Sequence, residues 1–86
     1  MTGSSETRTV QRRRTNNFGI IKANDKELPV LLRDASRTGA RVRLVTPCEL
    51  PDELTLVSAM EKIDRRCVVV WRRGNDIGLR FETPLA

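Results

Sequence analysis

From Asn17 onward the chain alternates short apolar runs with turn-forming residues. Phe18-Gly19-Ile20-Ile21-Lys22 reads as a first strand and Asn24-Asp25-Lys26 as the turn behind it. Val30 to Arg33 reads as a second strand and Ala40 to Val45 as a third. In the third, Ala40, Val42 and Leu44 share one face while Arg41 and Arg43 form an exposed charged face. Pro47 and Pro51 bracket a loop, and Leu54 to Val57 reads as a fourth strand, although Asp52-Glu53 behind Pro51 also fits a helix start. Asp64 to Arg72, rich in β-branched residues, is a fifth strand. Arg73 to Asp76 turns the chain into a sixth, Ile77 to Phe81, with Ile77, Leu79 and Phe81 pointing inward. By the same alternation Trp71 shares a face with Cys67 and Val69, which assigns it to the core, and Phe18 falls with the inward set.

Strands at intervals of roughly ten residues with Gly and Pro at the joints argue for an antiparallel barrel or sandwich. A closed barrel is favoured, because so short a chain has little with which to guard open sheet edges. The expected fold is therefore all-β, a six-stranded antiparallel β-barrel over residues 15–86, preceded by a flexible basic N-terminal arm over residues 1–14. The arm is read as disordered because Met1 and Val10 are its only sizeable apolar side chains.

Charge changes this picture. The 86 residues carry sixteen Lys and Arg against eleven Asp and Glu, a formal +5, and thirteen of the sixteen are arginine. Arg8, Arg12, Arg13 and Arg14 against Glu6 put +3 of that +5 in the arm. Guanidinium makes planar, bidentate contacts with phosphates and guanine edges that ammonium cannot make, so the expected partner is anionic and flat-faced. The plainer alternative is a solvated basic surface.

Several chemistries drop out. With no histidine in the chain there is no Ser-His or Cys-His pair and no His-containing metal site. No spacing singles out a catalytic carboxylate pair, and no glycine loop of the phosphate-cradling kind is present. The protein is read as a non-enzyme with no catalytic residues, no metal and no cofactor. Cys48 and Cys67 are too few for a disulfide scaffold and do not form a CxxC pair, so Cys67, inside Cys67-Val68-Val69-Val70-Trp71, is expected as a reduced core thiol. No apolar run approaches the roughly 20 residues of a membrane span, and the N-terminus lacks the apolar core of a secretory signal. The expected location is cytoplasmic, without membrane insertion.

Two short motifs remain. Arg8-Thr9-Val10-Gln11-Arg12 has RxxxR spacing, and Asp34-Ala35-Ser36-Arg37-Thr38-Gly39 reads DxSxxG between the second and third strands. Taken singly, each has an ordinary structural explanation. Arginines fall at this spacing easily in a basic arm. Asp34 and Ser36 suit an Asx- or ST-turn, and Gly39 suits a positive-φ position.

Together they resemble the PilZ domain, the bacterial receptor module for cyclic di-GMP, which carries RxxxR before the first strand and (D/N)xSxxG at a turn between two barrel strands. The order matches, with one strand between the motifs. The hairpin from Val69 to Phe81 and the stretches "SRTGARV" and "LPDELTLV" are also similar, so the resemblance spans about residues 8–82. It implies a cyclic di-GMP site made of Arg8, Arg12, Asp34, Ser36 and Gly39. Arg8 and Arg12 suit phosphate oxygens or the O6/N7 edge of guanine, and Asp34 suits the donors N1–H and N2–H₂ on its other edge. Gly39 permits close backbone approach. Arg13 is a possible further phosphate contact, and Trp71 a possible stacking partner if it is not core.

Five residues follow Phe81, so the signal is expected to pass to a separate, unidentified partner protein, with the arm changing conformation as ligand binds. In the family such partners govern motility, exopolysaccharide synthesis or the cell cycle. A monomer is favoured, and one or two ligand molecules both fit the pattern. Two alternatives stand beside this reading. One is a small basic barrel for RNA or single-stranded DNA, disfavoured by the scarcity of aromatics. The other is a PilZ-like module without ligand.

Overall fold

The computed structural model describes residues 13–85. Among them every regular element is a strand: β1 (Arg13–Ala23), β2 (Lys26–Ala35), β3 (Gly39–Leu44), β4 (Glu53–Ser58), β5 (Ile63–Arg73) and β6 (Asp76–Phe81). All pairings are antiparallel, and the sheet closes as a barrel in the order β1-β2-β3-β6-β5-β4. The six expected strands are present and the helix start at Asp52 is not used. Most strands run a residue or two longer than their apolar cores. β1 and β2 are the large extensions: β2 runs from Lys26 to Ala35, and β1 reaches back to Arg13, so Arg13 and Arg14, expected in the arm, are strand.

The turns explain the closure. Asn24 and Asp25 both take positive φ, 52° and 64°, as a type I′ hairpin between β1 and β2 demands. Gly74, at φ 58°, makes the corresponding tight turn between β5 and β6. Alternation then fills the interior: Ile21, Val30, Leu32, Val42, Leu56 and Cys67 are fully buried, joined by Ile77, Leu79 and Phe81. Each such aliphatic or aromatic side chain contributes roughly 1.5–3 kcal/mol on burial.

Three ladders carry an extra residue. β1 shifts register between Arg14 and Asn17, β2 between Leu32 and Asp34, and β5 between Val69 and Trp71. The side-chain period of a strand is two, so one inserted residue turns everything beyond it to the other face. Two expectations fail here. Trp71 does not join Cys67 and Val69 inside: the bulge at Val70 turns it outward, where it is 42% exposed. Phe18 also faces out, at 69%, because the inward set of β1 is Thr15, Gly19 and Ile21.

Candidate ligand-binding site

The DxSxxG stretch closes one end of the barrel. Asp34 and Ala35 finish β2, Ser36 to Thr38 make the turn, and Gly39 opens β3. The bulge at Arg33 is what aims Asp34. Without it Asp34 would follow Val30 and Leu32 into the core. With it Ala35 and Ala40 take the inward positions, and Asp34 stands opposite Arg41 on the other face of the ladder. Its carboxylate Oδ2 forms an ion pair with Arg41 Nη2 at 2.8 Å, with the aspartate side chain only 7% exposed. Arg41 is thus not the idle surface arginine that strand alternation suggested. No sequence signal revealed it, since its partner depends on register.

Ser36 is buried and works inside the turn. Its Oγ accepts from the Thr38 amide at 3.3 Å, an ST-turn contact, and its own amide donates to the Gly39 carbonyl at 2.8 Å. The turn is tied further by Phe81 N–H to the Thr38 carbonyl and Leu85 N–H to the Arg37 carbonyl, both at 2.8 Å. Gly39 is not at positive φ. A Cβ there would lie 2.2 Å from the Leu79 carbonyl oxygen. The glycine is required by the approach of β6, which corrects the expectation of a left-handed turn position and makes the closely approaching group a strand of the barrel itself.

β1 begins beside this turn. Arg13 pairs with Ala35 and Arg14 with Asp34, so the strand that follows RxxxR starts against the last residues of β2. Arg8 and Arg12 themselves lie outside the described residues. On the other side of Arg41, register leads to Gly78 on β6 and then to Trp71 on β5. The indole occupies the space a side chain at Gly78 would fill, with Nε1 2.1 Å from where that Cβ would stand. One row across the sheet therefore reads Arg14, Asp34, Arg41, Gly78, Trp71, with an acceptor, a cation and an exposed aromatic ring in sequence.

Two other features lie apart from this row. A cleft of about 370 Å³ opens at the opposite end of the barrel between the β3–β4 loop and the β5–β6 hairpin, with Cys48, Leu50 and Arg72 in its wall. Arg72 is already engaged there, donating to the Leu50 carbonyl at 2.9 Å. Cys67 is a free, fully buried thiol whose pKa is pushed up to about 11, mainly by burial. Among the described residues no cluster of side chains could hold a metal ion, and no helix is long and apolar enough to cross a membrane.

A closed six-stranded antiparallel barrel with a polar turn at the mouth of β2 and β3 defines the class, a small all-β barrel domain. The profile of the PilZ domain matches residues 6–86, nearly the whole chain, and the protein belongs to that family, whose members are receptor modules for cyclic di-GMP. No curated protein and no solved structure matches it.

Proposed function

We propose that this protein is a cyclic di-GMP receptor that signals to a partner protein through its N-terminal arm. The observation that carries the reading is the register at the start of β1: the strand following RxxxR begins opposite Ala35, beside Asp34. RxxxR lies directly ahead of this strand in the sequence, and that adjacency supports the reading. Arg8 and Arg12 take the phosphates or the O6/N7 edge of guanine, with Arg13 as a further contact. Asp34 accepts from the N1–H and N2–H₂ donors. Ser36, held by the Thr38 amide and hydroxyl and by the Gly39 carbonyl, fixes the shape of the turn, and Gly39 sets the spacing between β3 and β6.

The exposed position of Trp71 supports base stacking rather than the core role that alternation assigns to it. A stacked base contributes about 1–3 kcal/mol. Hydrogen bonds to charged groups add roughly 1.5–3 kcal/mol each. Four or five of these sum to about 6–15 kcal/mol, which brackets the roughly 8 kcal/mol of a micromolar complex.

The test is calorimetric titration with cyclic di-GMP, GTP and an oligonucleotide, repeated on Arg12→Ala and Asp34→Ala. Selective binding of cyclic di-GMP is expected, weakened at least tenfold by either change, with the Arg12 loss greatest at low salt. Equal affinity for the oligonucleotide with a steep salt slope would favour nucleic-acid binding instead. That second reading draws support from two outward aromatics, Phe18 and Trp71, but they sit on β1 and β5, strands that do not pair. Amide exchange tests the arm: residues 5–12, ahead of β1, should gain protection on saturation with cyclic di-GMP, and unchanged exchange would refute the closing motion.

A further inference from the structure

Arg41 stands at the centre of the row yet has no part in either motif. It faces Asp34 on β2 and Gly78 on β6, and its Nη2 holds Asp34 Oδ2 at 2.8 Å. The aspartate end of this pair is dry and the arginine end wet, with side-chain exposures of 7% and 42%. The Arg41 Nε–H is buried and has no acceptor among the described residues. A native protein leaves few such donors unpaired, and one beside a ligand site is a donor waiting for an acceptor.

We propose that Arg41 is the positioning and specificity residue of this site: with Asp34 it forms an acceptor–donor pair that fits guanine and rejects adenine. The inference rests on the cyclic di-GMP reading and deepens it. On its Watson–Crick edge guanine presents the N1–H donor next to the O6 acceptor. Asp34 takes the donor, and Arg41 turns Nε–H toward O6 while Nη2 keeps the carboxylate in place. Adenine reverses the order, with an N6–H₂ donor where guanine has O6 and an N1 acceptor where guanine has N1–H. Donor then faces donor and acceptor faces acceptor, so discrimination comes from repulsion as well as from lost bonds. Gly78 helps by leaving the neighbouring position on β6 without a side chain of its own, so that the ring of Trp71 lies next to the pair across the ladder.

The experiment compares the whole chain with Arg41→Ala, Arg41→Lys, Asp34→Ala and the Arg41→Ala/Asp34→Ala double variant. Each is titrated with cyclic di-GMP and with cyclic di-AMP, and each is melted. The wild type is expected to prefer cyclic di-GMP, and Arg41→Ala to lose roughly tenfold or more of that preference, the scale of one bidentate base contact. Arg41→Lys keeps a cation beside Asp34, and so the fold, but lacks the fork. Its melting temperature should stay near wild type while the preference still falls. The double variant should lose no more preference than Asp34→Ala alone, because the two residues act as one unit. If the wild type binds cyclic di-GMP and Arg41→Ala and Arg41→Lys keep its preference over cyclic di-AMP, Arg41 has no such role and the receptor reading stands. Additive losses in the double variant also overturn the paired mechanism. If the wild type does not bind cyclic di-GMP at all, the receptor reading falls and takes this inference with it.

Discussion

Gly39 offers a direct test of why the DxSxxG turn ends in glycine. A Cβ placed there lies 2.2 Å from the Leu79 carbonyl oxygen and 3.3 Å from the Arg80 Cα. Ordinary C···O contacts begin near about 3.3 Å, so β3 and β6 must separate by about 1 Å at this point. Both contacting atoms are backbone, and neither can rotate away. The strands are paired at this very place, Gly39 with Arg80 and Ala40 with Leu79. Forcing one methyl group into such a packed contact costs about 1–3 kcal/mol. In a domain of this size each kcal/mol lowers Tm by about 4–8 °C, so Gly39→Ala should melt roughly 5–20 °C below wild type. Thermal and urea unfolding, followed by circular dichroism, measure this.

Gly39→Asn makes the test discriminating. Asn tolerates the left-handed backbone better than Ala, so a glycine retained for positive φ would be replaced more safely by Asn. Here Asn brings the same Cβ and more atoms behind it, and should be at least as damaging as Ala. Gly74 supplies the contrast. It sits at φ 58°, where a side chain strains the backbone although a Cβ would meet no described atom within 4 Å, so Gly74→Ala should cost about 1–2 kcal/mol and Gly74→Asn less than that. Were Gly39→Asn to melt above Gly39→Ala, or Gly39→Ala within about 2 °C of wild type, steric exclusion by β6 would be the wrong account.

Two further outcomes follow from the same geometry. Gly78→Ala should push the Trp71 indole off β6, shifting tryptophan emission to the red and weakening cyclic di-GMP binding, at a stability cost of about 1 kcal/mol or less because the ring is exposed and can move; unchanged emission would show that the ring does not rest there. Cys48 is exposed and Cys67 buried, so a thiol reagent should label one cysteine in the native protein and two in denaturant. Burial raises the Cys67 pKa from about 9 to about 11, so the folded chain keeps that proton to higher pH than the unfolded chain. The stability it contributes is whole below about pH 9 and declines as pH rises through about 11, by roughly 1–3 kcal/mol, a slope that Cys67→Ala should remove.

Much of the barrel was legible in the sequence because its core strands obey simple alternation. Ala40, Val42 and Leu44, or Ile77, Leu79 and Phe81, announce an inward face with no knowledge of neighbours. The polar extension of β1 does not. Thr15, Asn16 and Asn17 lack an apolar rhythm, yet they are strand, Asn17 paired with Leu32 and the other two carrying the bulge back to the Arg14–Asp34 pair. Thr15 is buried with its hydroxyl donating to the Leu32 carbonyl, and Asn17 donates to the Glu61 carboxylate. Such residues are placed by partners many positions away, and a linear reading has no access to them. The motif residues were found by resemblance, whereas Arg41 was missed because only register brings it to Asp34.

The failures concerning Asp34's surroundings and Trp71 share one cause, and it is tied to the site. Asp34 and Trp71 each follow a single extra residue, Arg33 and Val70, and each would otherwise lie in phase with core positions. The insertions keep both ladders in register on either side while reversing the faces beyond them. The carboxylate leaves the core row and lies, still buried, against Arg41, and a tryptophan that would have been packing becomes an exposed ring. Alternation thus misreads the chain where the fold departs from regular pleating to present polar and aromatic groups on the outside of the barrel. Since bulges cost ladder bonds and concentrate near functional sites, their coincidence along one five-residue row supports the proposal of a ligand site here rather than at the cleft at the far end.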